Sequence, residues 1–142
     1  AYYKRLTSEL PEVRLAAAQV WSTWEASTSK LIPSASFVEE YEDPQKALPF
    51  ARIEAHYFIN KAFFPTSNYL LNEIQKNLKL TPCRIIHGRY DVVCPVKNAW
   101  DLHHVMPQSE LRIVHQAGHS ALEPGITSEL VQATEDFKKL YS

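Results

Sequence analysis

Residues 80–123, LTPCRIIHGRYDVVCPVKNAWDLHHVMPQSELRIVHQAGHSALE, are the stretch whose reading decides the fold. Two short apolar runs, Cys83 to His87 and Leu111 to His115, each lead into a glycine-marked turn. The first turn delivers Asp91 and the second delivers His119. Between the runs the spacing predicts a helix over Lys97 to Val105, so the stretch reads strand, helix, strand, with strands Cys83–Gly88 and Glu110–His115. A parallel pair joined by a crossover helix collects its functional groups in the loops at the carboxyl ends of the strands. Asp91 and His119 both fall in such loops.

A carboxylate within hydrogen-bonding distance of one imidazole nitrogen fixes the tautomer and steadies the imidazolium, leaving the other nitrogen to take a proton from a hydroxyl. The chain order, acid then base, is the tail of the Ser, Asp, His order of the α/β-hydrolase fold. Singly, Asp91 also fits a turn residue and His119 a capped loop histidine. At consecutive strand ends the pair reads as an acid and a base without a nucleophile.

Composition bounds the claim. A chain of 142 residues with 45% hydrophobic content suffices for one ordinary domain and its core. Fifteen basic against sixteen acidic residues leave no field to draw nucleic acid or a membrane surface. No run reaches the length of a transmembrane helix, and no basic-then-apolar leader opens the sequence, so a soluble, cytoplasmic protein is expected. Cys83 and Cys94 lack C-x-x-C or histidine-rich spacing and read as free thiols, with no metal site or disulfide expected.

The amino-terminal portion reads as helices alone. Pro11 suits the first turn of a helix, and EVRLAAAQVWSTWEAST places Val13, Ala16, Ala17, Val20, Trp21 and Trp24 at helical spacing. Glu25, near the end of that helix, reads from its position as a solvated carboxylate. Lys30 to Asp43 reads as a connection, broken by Pro33 and a small-polar cluster. Asp43 can then cap a helix that begins at Pro44, with a kink or a junction expected at Pro49. Beyond Pro49 the face of Phe50, Ile53, Glu54, Tyr57 and Phe58 is apolar except for one carboxylate. A charge among aromatics must be paired or take up a proton. A local ion pair to Arg52 or Lys61 would satisfy Glu54; so would a cation from outside, such as a substrate amine. After Pro65 a further helix, NYLLNEIQKNL, leads into the strand–helix–strand stretch, and a final helix is expected from about Thr127 to Tyr141, with Leu130, Val131, Phe137 and Leu140 on its apolar side.

Two parallel strands do not make a doubly wound sheet, and a strand apolar enough to be central needs neighbours on both edges. No G-x-S-x-G nucleophile elbow occurs, and Ser120, adjacent to His119, is poorly placed to substitute. The economical expectation is the carboxyl-terminal part of a larger hydrolase, with apolar surface exposed along the orphaned strand.

HGRYDVVCP followed by His119 in AGHSALEPGI closely resembles the proline iminopeptidases (prolyl aminopeptidases), α/β-hydrolases of the serine peptidase clan. WSTWEAS and ARIEAHYF resemble the cap domain of that family, so the likeness spans the chain from Ala1 to Ser142. The resemblance implies an all-helical cap domain over residues 1–66 and the C-terminal part of an α/β-hydrolase catalytic domain over 67–142, the N-terminal half of that domain being a missing partner. It implies that Asp91 and His119 are the triad acid and base, that Glu25 and Glu54 hold the free amino terminus of a peptide, and that Phe58 belongs to the pocket for the first residue. The implied reaction is release of N-terminal proline from peptides by acyl transfer, with no cofactor, no metal, no nucleic acid and no membrane. A chain without the family's serine is expected to be inactive alone. Two other readings stay open: a nucleophile-free binding or interaction module of the same fold, and a different α/β-hydrolase such as an esterase or epoxide hydrolase. Glu25 and Glu54 discriminate, because only the aminopeptidase reading needs both near the acid–base rim.

Overall fold

A computed structural model describes residues 1–140. They form seven α-helices and two strands in the order α1 (Tyr2–Leu6), α2 (Pro11–Ser29), α3 (Ala35–Tyr41), α4 (Pro44–Ile59), α5 (Tyr69–Asn77), β1 (Cys83–Gly88), α6 (Val96–Val105), β2 (Ser109–Val114) and α7 (Pro124–Leu140). The chain is therefore mostly helical with a two-stranded parallel sheet, an arrangement compatible with part of an α/β fold. Two compact units divide it. One holds residues 1–28 and 32–65, the other residues 29–31 and the chain from Thr66.

In the first unit the helix boundaries follow local chemistry. α2 begins at Pro11, whose missing N–H costs nothing in a first turn. Asp43 caps α4, its Oδ1 accepting from the Gln45 N–H at 2.9 Å, and Pro44 is the first helical residue. α4 runs through Pro49 as one element, forgoing one backbone hydrogen bond. The stretch expected to be a connection contains α3, because Ser34 accepts from the Phe37 N–H at 3.2 Å and caps a helix just beyond Pro33. After α4, Lys61, Ala62 and Phe63 all take left-handed φ values of 50°, 52° and 63°. No glycine marks that turn, and such conformations cost L-residues on the order of 1 kcal/mol each.

The packed faces of α2 and α4 differ from those expected. α2 buries Ala17, Ala18, Ser22 and Ala26, while Val20 and Trp24 are exposed. α4 buries Ala47, Ala51 and Ala55, while Ile53, Tyr57 and Phe58 are exposed. Ala17, Ala18, Ala47, Ala51 and Ala55 cluster with fully buried Leu6, and Tyr3, Trp21 and Leu48 pack against the cluster. Small side chains let helices approach closely, so the seam follows the alanine stripe and leaves the bulky residues beside it. Ser22, wholly buried, donates its hydroxyl to the Ala47 carbonyl at 3.4 Å.

In the second unit β1 and β2 pair in parallel from Cys83 opposite Ser109 to Gly88 opposite Val114, with α6 between them in sequence. Parallel strands need such a crossover. Among the described residues the sheet contains these two strands only. α7 begins at Pro124 and buries Ile126 and Ala133; Leu130, Val131 and Leu140, expected to be inward, are exposed, while Phe137 is half-buried. The expected helix end at Tyr141 lies outside the described residues. Charged side chains tie α7 to the strands. Arg84 of β1 reaches Asp136 of α7 and, at 3.1 Å, Glu110 of β2; Arg112 of β2 bonds Glu110 and Glu129, each at 2.7 Å. Cys83 and Cys94 are free thiols. No helix among the described residues is long and apolar enough to cross a membrane, and no cluster of His, Cys, Asp and Glu there could hold a metal ion.

Candidate active site

β1 and β2 end side by side, and the turns after them bring Asp91 and His119 together. His119 Nδ1 lies 3.0 Å from Asp91 Oδ2. An ionised carboxylate only accepts, so Nδ1 carries the proton and Nε2 is left as the lone-pair nitrogen. The Asp91 side chain is 5% exposed and that of His119 39%, so the acid is shielded while the base faces outward. Asp91 Oδ1 accepts the backbone N–H groups of Val93 at 3.0 Å and Cys94 at 2.7 Å, which hold the carboxylate in its own turn. With both oxygens engaged, the carboxylate has one orientation in which Oδ2 meets the imidazole.

The backbone sets the spacing. Arg89 N–H donates to the Val114 carbonyl at 2.9 Å and Tyr90 N–H to the Ala117 carbonyl at 3.0 Å, so the turn after β1 is sewn to the turn after β2. A Cβ added to Gly88 would sit 1.9 Å from the Gly118 carbonyl oxygen, so at this crossing only glycine fits.

The His119 loop is strapped from its other side by residues 29–31. The Ser29 carbonyl accepts from His119 N–H at 3.0 Å and Ser120 N–H at 2.7 Å. Glu123, 8% exposed, closes the strap: Oε1 accepts the Gly118 N–H at 2.6 Å and Oε2 accepts the Leu31 N–H at 3.2 Å. A buried carboxylate satisfied by two backbone donors is stable without a counter-ion, and its role here is to fix the loop that carries the base. Ser120 has a local task, its Oγ accepting from the Leu122 N–H at 3.2 Å.

The helical unit holds a second cluster. Tyr2, Val20, Trp21, Trp24, Glu25 and Phe58 line an apolar cleft of about 390 Å³ with Glu25 as its carboxylate. Trp21 stands against Tyr2 edge-on at 5.5 Å and against Phe58 at 6.0 Å between ring centres. Behind it, the Trp21 indole N–H donates to Glu54 Oε2 at 2.7 Å. Glu54 is half-buried and, among the described residues, makes no ion pair with Arg52, Lys61 or any other cation. A neutral indole satisfies one oxygen and leaves the charge uncompensated.

The residues singled out from sequence thus fall into two groups. Asp91 meets His119; Glu25 and Phe58 line one cleft, and Glu54 grips the tryptophan between them. The sequence reading passed over Glu123, whose partners lie at Gly118 and at Leu31, far upstream. A glutamate four residues after a loop histidine carries no local signal of that task.

No protein-family model matches the chain. Curated proteins do. The chain is 51% identical over 142 residues to a proline iminopeptidase of Arabidopsis thaliana, an alignment covering 99% of this chain and 37% of that protein. It is 53% identical over 137 residues to a proline iminopeptidase of Xylella fastidiosa, covering 96% and 44%, and 40% identical over 136 residues to one of Neisseria gonorrhoeae, covering 96% and 42%. Over nearly its whole length the chain is similar to proline iminopeptidases, and it spans about two fifths of the length of these relatives.

Proposed function

We propose that this chain supplies the acid–base pair and the amine-recognition pocket of a serine aminopeptidase that releases N-terminal proline from peptides. The observation that carries the reading is the hydrogen bond from His119 Nδ1 to a shielded Asp91, which leaves Nε2 as the free base. The similarity to proteins named proline iminopeptidase supports the substrate class. In this reading residues 67–142 are the carboxyl-terminal part of an α/β-hydrolase catalytic domain and residues 1–66 are a cap. The serine comes from outside these 142 residues, since they contain no G-x-S-x-G.

The chemistry follows from the proton positions. His119 Nε2 takes the serine hydroxyl proton as the oxygen attacks the carbonyl of the first residue, and Asp91 stabilises the imidazolium that forms. His119 then gives the proton to the leaving amine, so the C–N bond breaks with a neutral leaving group and a prolyl ester remains. Water, deprotonated by the same nitrogen, cleaves the ester and returns the serine.

Glu25 and Glu54 serve selection. A peptide that begins with proline presents a cationic imino group on a compact apolar ring, and carboxylates beside Trp21, Trp24 and Phe58 complement both features. An internal proline has a neutral amide nitrogen and offers Glu54 no cation to complement its charge.

The test is to assay the full-length product of the gene encoding this chain on a proline arylamide. Release of arylamine that disappears with His119→Ala supports the reading. No release, or release that survives that substitution, overturns it, and the 142-residue chain alone is expected to release none.

A further inference from the structure

His87, the penultimate residue of β1, has a side chain only 14% exposed and belongs to the acid's surroundings. Its Nε2 lies 3.0 Å from the Cys94 carbonyl oxygen and 3.5 Å from Asp91 Oδ2, the oxygen that accepts from His119. A carbonyl oxygen only accepts, so the hydrogen of His87 sits on Nε2 and is directed to the turn that holds the acid. A closed circuit results. Cys94 N–H donates to Asp91 Oδ1, the Cys94 carbonyl accepts from His87, and His87 stands within a water's width of Asp91 Oδ2.

We propose that His87 is a positioning residue for the acid–base pair. By clamping the Cys94 carbonyl it fixes the Asp91–Cys94 turn, and with it the carboxylate that orients His119. The role rests on the aminopeptidase reading above only for its effect on rate; the geometry it controls is a property of the free protein. Position 87 needs a donor at a fixed reach from the strand end, and a glutamine side chain provides one, whereas leucine fills the space and provides none. Misplacing a reacting group by about 1 Å costs on the order of a hundredfold in rate, and a loosened carboxylate misplaces His119 to a smaller degree.

The full-length protein tests this with His87→Leu and His87→Gln. On a proline arylamide His87→Leu lowers kcat about 10- to 100-fold with KM within about twofold, and His87→Gln restores kcat to within about threefold. A role in folding alone would lower the amount of active enzyme and the melting temperature without rescue by glutamine. In parallel, the Nδ1 proton of His119 is followed by NMR without substrate. It moves upfield and exchanges faster in His87→Leu and returns in His87→Gln. Where His87→Leu does not fold, the ring-nitrogen shifts of His87 in the unsubstituted protein decide, and a proton on Nδ1 overturns the proposal. Unchanged kcat and an unchanged His119 resonance in folded His87→Leu also overturn it. A resonance that responds in a protein with no peptidase activity keeps His87 as the positioning residue and sinks the peptidase reading instead.

Discussion

Glu54 in the helical unit and the pair Asp91 and Glu123 in the strand-bearing unit are satisfied in opposite ways. In the strand-bearing unit Asp91 and Glu123 are sheltered and saturated: Asp91 takes two backbone N–H groups and an imidazole, and Glu123 takes the N–H groups of Gly118 and Leu31. In the helical unit Glu54 takes one neutral indole N–H and stands behind an apolar cleft. A carboxylate with both oxygens engaged by fixed donors holds its orientation before any ligand arrives. A carboxylate with a single neutral donor keeps attraction in reserve for a cation. On the proposed function, the difference separates residues that would move protons from residues that would choose a substrate.

Substitutions can sharpen that contrast. The largest effect is expected at Asp91. In the full-length protein Asp91→Asn reverses the hydrogen-bonding demand on His119, puts the wrong nitrogen forward and lowers kcat about ten thousandfold with little change in KM. A raised KM with kcat unchanged would place Asp91 among the binding groups and erase the contrast.

Next come the groups that build the rim. Gly88→Ala drives a Cβ into the Gly118 carbonyl at 1.9 Å, and backbone atoms must move, at a cost of about 1–3 kcal/mol or more. Glu123→Ala strips acceptors from two N–H groups, one of them at buried Gly118, at about 1–3 kcal/mol for the buried donor. Denaturant melts measure both, and a melt unchanged by Glu123→Ala would show the strap to be idle.

Glu54→Gln is the counter-case. A glutamine carbonyl still accepts the Trp21 indole N–H, so the melting temperature holds, but the reserve of charge is gone. KM for a proline arylamide is expected to rise about tenfold, the worth of one charge-assisted hydrogen bond, with kcat near its original value.

The smallest effect is electrostatic. The Arg84 guanidinium, and then the Gln132 amide, hold the Asp136 carboxyl below its ordinary value, and Arg112 does the same for Glu110. A carboxyl whose pKa is lowered on folding contributes stability that is full above its unfolded value, about 4, and is lost as the pH falls through the folded value. Thermal melts should therefore fall more steeply below about pH 4 in the unsubstituted protein than in Arg84→Met.

What could be read in advance follows the same divide. The rim was legible because its signals are local: apolar runs ending at Gly88 and before Gly118 announce strand ends, and Asp91 and His119 stand just past them. The faces of α2 and α4 were not. Periodicity weights Val20, Trp24, Ile53 and Tyr57, yet the seam is made of alanines whose merit is small size, which a hydropathy pattern does not register. α3 was hidden because Pro33 and its small-polar neighbours look like a connection, although Ser34 is a cap. Least legible was the strap. That Ser29 to Leu31 pack with the second unit, and that Glu123 closes on them, depends on pairing across most of the chain.

The central claim is that the helical unit recognises a free cationic terminus while the strand ends move protons. The most direct test gives the full-length protein a proline arylamide and its N-acetyl derivative at equal concentration. Release of arylamine from the free imino compound, with none from the acetylated one, is the predicted result; equal release from both would contradict the account.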